Sequence, residues 1–490
     1  MSEPLVAGVD SSTQSTKVVV RRLDDGEMVA EARAPHPTTE PPRSEQDPQS
    51  WWTALVAAFA QLGDVTSHIV GVSVSGQQHG LVVLDEHGRS IRPAKLWNDT
   101  ESAPQAARLV DDLGPAGWVA ACGVVPVPSI TVTKLAWLSD NEPESVERIA
   151  SIMLPHDYLT WRLTGRSVSD RGDASGTGWW DPSTGEYRSE LLAAAVGDRD
   201  LTGCLPEVLG PIEVAGPIVA SVVEELGLSA TAVAGPGTGD NMAAALGLGL
   251  RRGEVAMSLG TSGTVFGVSD TAARDESGLV AGFADANGRF LPLACTLNAT
   301  KVTDMVANTL GVDHRGLAEL VRSAEPGAGG VTVVPYFDGE RTPNVPNATG
   351  MITGLRPGTS RADVARAAHE GVLCNLLAAA DALAGVGVGA GVAGDGELRL
   401  VGGGAKSAAY RQVLADLHQR PVRIPVDDEA PATGAAVQAA AVAGGGTIDD
   451  VVDRWRLRHG GLIVEPQADP DPSIRQRYAS AARAAAELAG

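Results

Sequence analysis

Short apolar, β-branched runs separated by glycine- and hydroxyl-rich segments recur along the 490-residue chain. Leu5-Val6-Ala7-Gly8-Val9-Asp10 predicts a buried strand. A small polar segment, 11–16, and a valine-rich run, 17–21, follow it, which predicts a hairpin. Asp24-Asp25-Gly26 predicts a turn into a strand over 27–33. Residues 255–265 repeat this order of strand, Gly/Ser/Thr tip and valine-bearing strand. A likeness at half-chain spacing predicts two related halves, each opening on its own hairpin. Two such tips facing each other across a cleft would grip a polyphosphate from both sides. Residues 69–74 have the β-branched bias of a buried parallel strand and run into Ser75-Gly76-Gln77-Gln78-His79-Gly80. Polar residues at that end of a strand point into the crevice where α/β proteins bind ligands. A further strand is expected over 81–84, then mostly helix from 103 to 230, with a glycine-stopped helix at 154–165 and a polar loop at 169–177. The second half predicts a strand at 331–335, a long buried helix at 362–384 and a glycine-rich loop at 385–396. A strand at 398–401 then enters a triple glycine and a helix at 408–417. A strand at 421–426, a buried helix from 431 and a helical tail over 447–490 complete an α/β pattern.

Composition narrows the function classes. At 43% hydrophobic and 20% charged residues the chain is globular, and its length suits two large domains. A net charge of −22 argues against nucleic-acid and anionic-membrane partners, which need clustered basic residues. It leaves a nucleotide ligand open, because backbone N–H groups and a metal ion can hold phosphates. Cys122, Cys204, Cys295 and Cys374 form no metal-like or redox spacing, which predicts a reducing, cytoplasmic setting. No run of about 20 apolar residues is present, and the chain opens into a strand without a basic-then-apolar leader.

The candidate chemistry centres on Gly235-Pro236-Gly237-Thr238-Gly239-Asp240-Asn241, a glycine-dense turn entering an alanine-rich helix. Asp240 reads either as a helix cap or as a reacting carboxylate. A helix N-terminus would favour its ionised form and make it a weak base. His79 is either a satisfied polar residue or a ligand contact. Lys95-Leu96-Trp97-Asn98-Asp99-Thr100-Glu101 sets an aromatic beside amide and carboxylate groups, which suits a sugar but also ordinary packing. Gly402-Gly403-Gly404 would let a flat adenine lie against the backbone, although no G-x-G-x-x-G is formed. No lysine follows a glycine, so the P-loop is excluded, and so are the combined protein-kinase signatures.

Eight ordered motifs, at 10–17, 75–80, 96–99, 154–163, 239–241, 258–264, 339–343 and 401–417, resemble those of the FGGY carbohydrate kinases. The likeness runs from Val9-Asp10 to the helix at 431–443. It implies two actin/Hsp70/hexokinase-like (ribonuclease H-like) α/β domains with a cleft between them. Domain 1–250 would carry the sugar side, the first phosphate hairpin and the catalytic aspartate, and domain 251–490 the second hairpin and the adenosine site. By this resemblance Asp240 accepts a proton, and Gln78, His79, Trp97, Asn98, Asp99 and Asn241 join it around the sugar. Thr13, Lys17, Gly260 and Thr261 face the phosphates of ATP, Gly403, Gly404 and Ala405 hold the adenosine, and Asp10 stands near Mg²⁺. The implied reaction converts D-xylulose and ATP to D-xylulose 5-phosphate and ADP, with lobe closure on sugar binding, in a cytoplasmic homodimer. Kinases acting on another pentulose or polyol, such as ribulose or arabinitol, are the alternative. Their support is Gln78, where the D-xylulose enzymes commonly carry methionine. A chaperone-like ATPase or a sugar-responsive DNA-binding regulator is a more distant reading.

Overall fold

The first hairpin folds as β1 (Leu5–Ser11) and β2 (Ser15–Arg22), with Asp10 opposite Lys17 and Ser11 opposite Thr16. Successive side chains of β1 alternate between two cores. Leu5, Ala7 and Val9 enter one cluster, and Val6 enters another on the opposite face. This is why the run is apolar at both parities instead of every second position. The structure, a computed structural model, is described over residues 3–387 and 397–489. Most of the glycine-rich 385–396 segment, expected as a loop, lies outside those residues.

Two mixed sheets carry the architecture. The first adds β3 (Met28–Pro35), β4 (Ile69–Gly76), β5 (Gly216–Pro217), β6 (Val233–Ala234) and β7 (Thr238–Gly239). Its order is β5-β6-β4-β1-β2-β3, with β7 also paired to β4. The second is built from β8 (Val255–Leu259), β9 (Gly263–Gly267), β10 (Ala281–Ala284), β11 (Phe290–Thr296), β12 (Leu398–Val401), β13 (Val422–Ile424) and β14 (Leu462–Val464). Its order is β10-β11-β9-β8-β12-β13-β14. The series β3-β2-β1-β4-β6 and β11-β9-β8-β12-β13 match in sense, two antiparallel pairings followed by two parallel ones. The internal repeat therefore extends well beyond the hairpins that suggested it.

Helices cover the sheets: α1 (Pro48–Leu62), α2 (Pro155–Thr164), α3 (Asp240–Gly247), α4 (Arg361–Gly385), α5 (Ala408–His418) and α6 (Ala430–Gly444). α6 crosses back from the second half of the chain and packs on β1, β4 and α3. Ala432, Ala436 and Val437 share a core cluster with Val6, Val19 and Met242. A β-carbon at Gly434 would fall inside contact distance of the Ala243 carbonyl oxygen, and one at Gly247 inside that of Ala430. The two backbones touch because those positions carry no side chain, which explains the alanine and glycine content of both helices. Gly434→Ala is expected to overpack this crossing at a cost of about 1–3 kcal/mol. Thermal unfolding at fixed protein concentration reads it as a lowered Tm, and an unchanged Tm would show that the crossing yields.

Several expectations are refined. Residues 103–230 are helical over about half their length and also include strands at Ser151–Met153, Val168–Asp170 and Glu207–Leu209. The strand near 81–84 forms as Val82–Leu84 and pairs with Ser151–Met153, apart from both main sheets. The segment 169–177 is a strand end followed by a buried helical turn rather than an open loop, and the tail contributes the edge strand β14 between its helices. Strands of three residues are too short for periodicity to register.

Candidate active site

The parallel strand ends bring the site together. Ser75 of β4 is opposite Asp10 of β1 on one side and Thr238 of β7 on the other. Asp10 and Thr238 are thus two strand spacings apart, roughly 9–10 Å between backbones. Two residues past Thr238 comes Asp240, the first residue of α3. Gly239 holds the capping position and has no side chain to cap with, so Asp240 is free of that task. Asn241 Nδ2 donates to Asp240 Oδ1 at 2.8 Å. The residue keeps partial exposure while protein encloses its carboxyl, and this burial raises its pKa to about 6. Burial here outweighs the helix terminus, so Asp240 is a stronger base than its position on α3 alone implied. The loop before it is held from across the chain, since Gln438 Oε1 on α6 accepts from Gly237 N–H at 3.0 Å and from Ser73 Oγ at 2.5 Å.

Asp10 is half-buried, and its Oδ1 is shielded and has no hydrogen-bond partner. Burial, with the charges of Asp240 and Glu429, pushes its carboxyl up to about 8. A lone hard oxygen facing further negative charge fits a divalent cation, which would supply the missing partner. Lys17 departs from its expected role: its ammonium is paired with Glu429, and with Glu31 at 3.5 Å. It can meet a phosphate only by exchanging those partners. Thr13 is tied to the sugar side, accepting from Trp97 Nε1 at 2.9 Å and donating to Gln77 Oε1 at 3.1 Å. A groove of about 590 Å³ lies behind Lys17 and Glu429 and is lined by Arg21, Arg399 and Asp427 among others, without Asp240.

The sugar-side segment is set by buried charge. Lys95 is fully buried, with Nζ 3.1 Å from Glu45, 3.1 Å from Asp99, 2.5 Å from Glu101 and 3.8 Å from the centre of the Trp137 ring. Glu45, Asp99 and Glu101 have metal-like spacing, but the lysine ammonium already occupies their centre. Asp99 Oδ2 also accepts from Ser44 N–H at 2.9 Å, and Oδ1 from Glu101 N–H at 3.1 Å. Both oxygens are used, so Asp99 anchors the segment and is not available to a sugar. Trp97 and Asn98 remain half-buried beside it, and Asn98 Oδ1 has no partner.

His79 takes φ 65°, a left-handed backbone that costs a residue with a β-carbon and is often kept where function needs it. It sets the imidazole against Gly176 and 5.4 Å from the Phe283 ring of the second lobe. Burial, with Lys134 and Arg341 nearby, holds its pKa well below the usual histidine range, so the ring is neutral. Gln78 Oε1 accepts from Asn241 Nδ2 at 2.8 Å. Asp240, Asn241 and Gln78 are thus joined by hydrogen bonds, with His79 next to Gln78 in the chain.

On the other lobe, the tip after β8 leaves Gly260 half-exposed and Thr261 exposed, and Thr264 Oγ1 of β9 reaches Asn241 Oδ1 at 3.3 Å. Space above Gly403 is open. Gly404 is used differently from expectation, because a β-carbon there would meet Leu259 Cδ2 at 2.6 Å. Its missing side chain serves protein packing, and Ala405 is buried beneath it. Thr264, Phe283, Lys95 and Gln438 had no role assigned from the sequence. Only Gln438, a lone amide in an alanine-rich buried helix, carried a visible signal.

Comparison with known proteins gives the family. Residues 5–247 match the N-terminal domain and residues 255–443 the C-terminal domain of the FGGY family of carbohydrate kinases. The chain is 47% identical over 467 residues to a xylulose kinase of Streptomyces coelicolor, covering 95% of this chain and 94% of that one. It is 34% identical over 442 residues to the xylulose kinase of Escherichia coli K12, covering 88% of each. The crystal structure of a xylulose kinase from Bifidobacterium adolescentis is 38% identical, superposes with a TM-score of 0.84, and covers 98% of this chain and 99% of that one. No helix among the described residues is long and apolar enough to cross a membrane. The chain belongs to the FGGY family of carbohydrate kinases, with their two-lobed actin/hexokinase-like fold.

Proposed function

We propose that this chain transfers the γ-phosphoryl group of ATP to the 5-hydroxyl of D-xylulose. The observation that carries the reading is Asp240, a partly exposed carboxylate with a raised pKa held by Asn241 where Thr264 of the second sheet meets it, in a chain that resembles xylulose kinases over nearly its whole length. Asp240 takes the proton of the sugar hydroxyl as that oxygen forms its bond to phosphorus. The bond from phosphorus to the bridging oxygen breaks in line, and ADP leaves with the electron pair. Asn241 orients the carboxylate, while His79, Trp97 and Asn98 bound the sugar. The tip residues Gly260 and Thr261 meet the phosphates from the second lobe, and the open space over Gly403 takes the adenosine. Thr13 and, after exchanging partners, Lys17 complete the phosphate side. Asp10 would hold Mg²⁺, which neutralises phosphate charge when bound. Lobe closure about the α3–α6 crossing would exclude water. The family likeness alone supports a homodimer in the cytoplasm.

Coupled ADP-release assays across pentuloses and pentitols test this. D-xylulose is expected to exceed ribulose and arabinitol in kcat/KM by at least about tenfold, the scale of one well-placed polar contact. Preference for a pentitol or another pentulose would replace the substrate and keep the family.

A further inference from the structure

The contacts behind Asp240 close a ring. Asn241 Nδ2 has two hydrogens, one given to Asp240 Oδ1 at 2.8 Å and one to Gln78 Oε1 at 2.8 Å. Asn241 Oδ1 accepts from Thr264 Oγ1 at 3.3 Å. Gln78 is buried, and its Nε2 lies beside the Asp173 carboxyl without a hydrogen bond to it; burial holds that carboxyl well above the usual range. Asp173 Oδ2 is 3.4 Å from His156 Nε2, which is also 3.1 Å from Asp157 Oδ1 and 3.5 Å from Asp170 Oδ1. Asp170 Oδ2 returns to the catalytic turn by accepting from Thr238 Oγ1 at 2.8 Å. A β-carbon at Gly239 would stand 2.6 Å from Gln78 Cγ, so the backbone leading into Asp240 rests on this side chain. His156, Asp157, Asp170 and Asp173 are buried at the start of α2 and in the 170–173 turn.

We propose that Gln78 is a positioning residue for phosphoryl transfer and not a ligand of the sugar. The inference rests on Asp240 being the proton acceptor. An asparagine amide presents N–H₂ on one side and oxygen on the other, and only its partners decide which way it faces. With Gln78 as acceptor and Thr264 as donor, Asn241 has one orientation, and in it one N–H holds Asp240 Oδ1. An apolar side chain at 78 removes the acceptor and frees the amide to turn. Amides do not relay protons here, so the ring sets geometry and leaves proton transfer to Asp240. The Gly239 backbone packed on its Cγ gives Gln78 a fixed footing. Gln78 therefore acts on Asn241 and does not shape the sugar wall.

The test is a double-mutant cycle on the purified full chain, with whichever sugar turns over best. Gln78→Met, near-isosteric and apolar, is expected to lower kcat about tenfold, the scale of one lost hydrogen bond. KM for sugar and for ATP should stay within about threefold. In an Asn241→Ala background the same change should lower kcat by less than about threefold, because nothing remains for Gln78 to orient. A tenfold rise in sugar KM with kcat kept would make Gln78 a sugar ligand and overturn the proposal. So would losses that multiply in the double variant, or a Gln78→Met enzyme that matches the parent. If Asp240→Asn stays active, the underlying assignment of Asp240 has failed instead, and the two failures are told apart.

Discussion

Asp240→Asn is expected to lower kcat by about 10²–10⁴-fold, the range for removing a positioned general base, while KM for ATP stays nearly constant. Asparagine preserves the size of the side chain and its place at the head of α3, so nucleotide binding by the opposite lobe has no reason to change. What disappears is the acceptor for the hydroxyl proton. The wild-type carboxyl titrates near pH 6 because burial disfavours its charge. The base is the deprotonated form, so kcat should be flat above about pH 7 and fall below pH 6, by about tenfold per unit in the limit. The asparagine variant has no such group, and its residual rate should lack that acid limb. Steady-state kinetics from pH 5 to 8 read both effects. A variant retaining most of its turnover, or keeping the same acid limb, would assign the base elsewhere.

Legibility followed the length scale of the signal. β1, β4 and β8 were readable because each is a run of apolar residues ending in small polar ones, and the repeat of β1–β2 in β8–β9 gave the two lobes. α6 was readable as a buried helix, but its place in the first lobe was not. That depends on glycine and alanine backbones of two distant segments touching, at Gly434 with Ala243 and Gly247 with Ala430. Within the site, Asp240 stood out by its turn, while the fates of Asp99 and Lys17 did not. Asp99 is spent on Lys95, Ser44 and Glu101, and Lys17 on Glu429, partners that only the fold selects. Composition likewise says nothing of enclosure. The helix-terminus argument alone would have left Asp240 at an ordinary carboxylate pKa, and its surroundings reverse that.

Asp10→Asn should separate function from stability by moving them in opposite directions. In the free protein Asp10 has a buried, unpartnered oxygen and two negative neighbours, and burial leads in raising its carboxyl to about 8. The unfolded chain releases the same proton near 3.8. Between about pH 4 and pH 8 the folded state holds a proton that the unfolded state has lost, so stability from this group falls as pH rises and is lowest above pH 8. Asparagine carries no charge to desolvate. The nucleotide-free variant should therefore unfold at a higher Tm than the parent at pH 8, with the difference shrinking toward pH 4. Catalysis should respond in the other direction. Without the carboxylate, the cation and the phosphates it neutralises lose a ligand or an orienting group, a change worth about 10–100-fold in affinity or activity. The variant should need more Mg²⁺ for half-maximal rate, and Mg²⁺ with ADP should raise its Tm less than it raises the parent's. A lower Tm at pH 8 together with unchanged Mg²⁺ dependence would make Asp10 a structural residue. The predicted pair of opposite shifts arises only if its charge is held in place against stability for the sake of the cation.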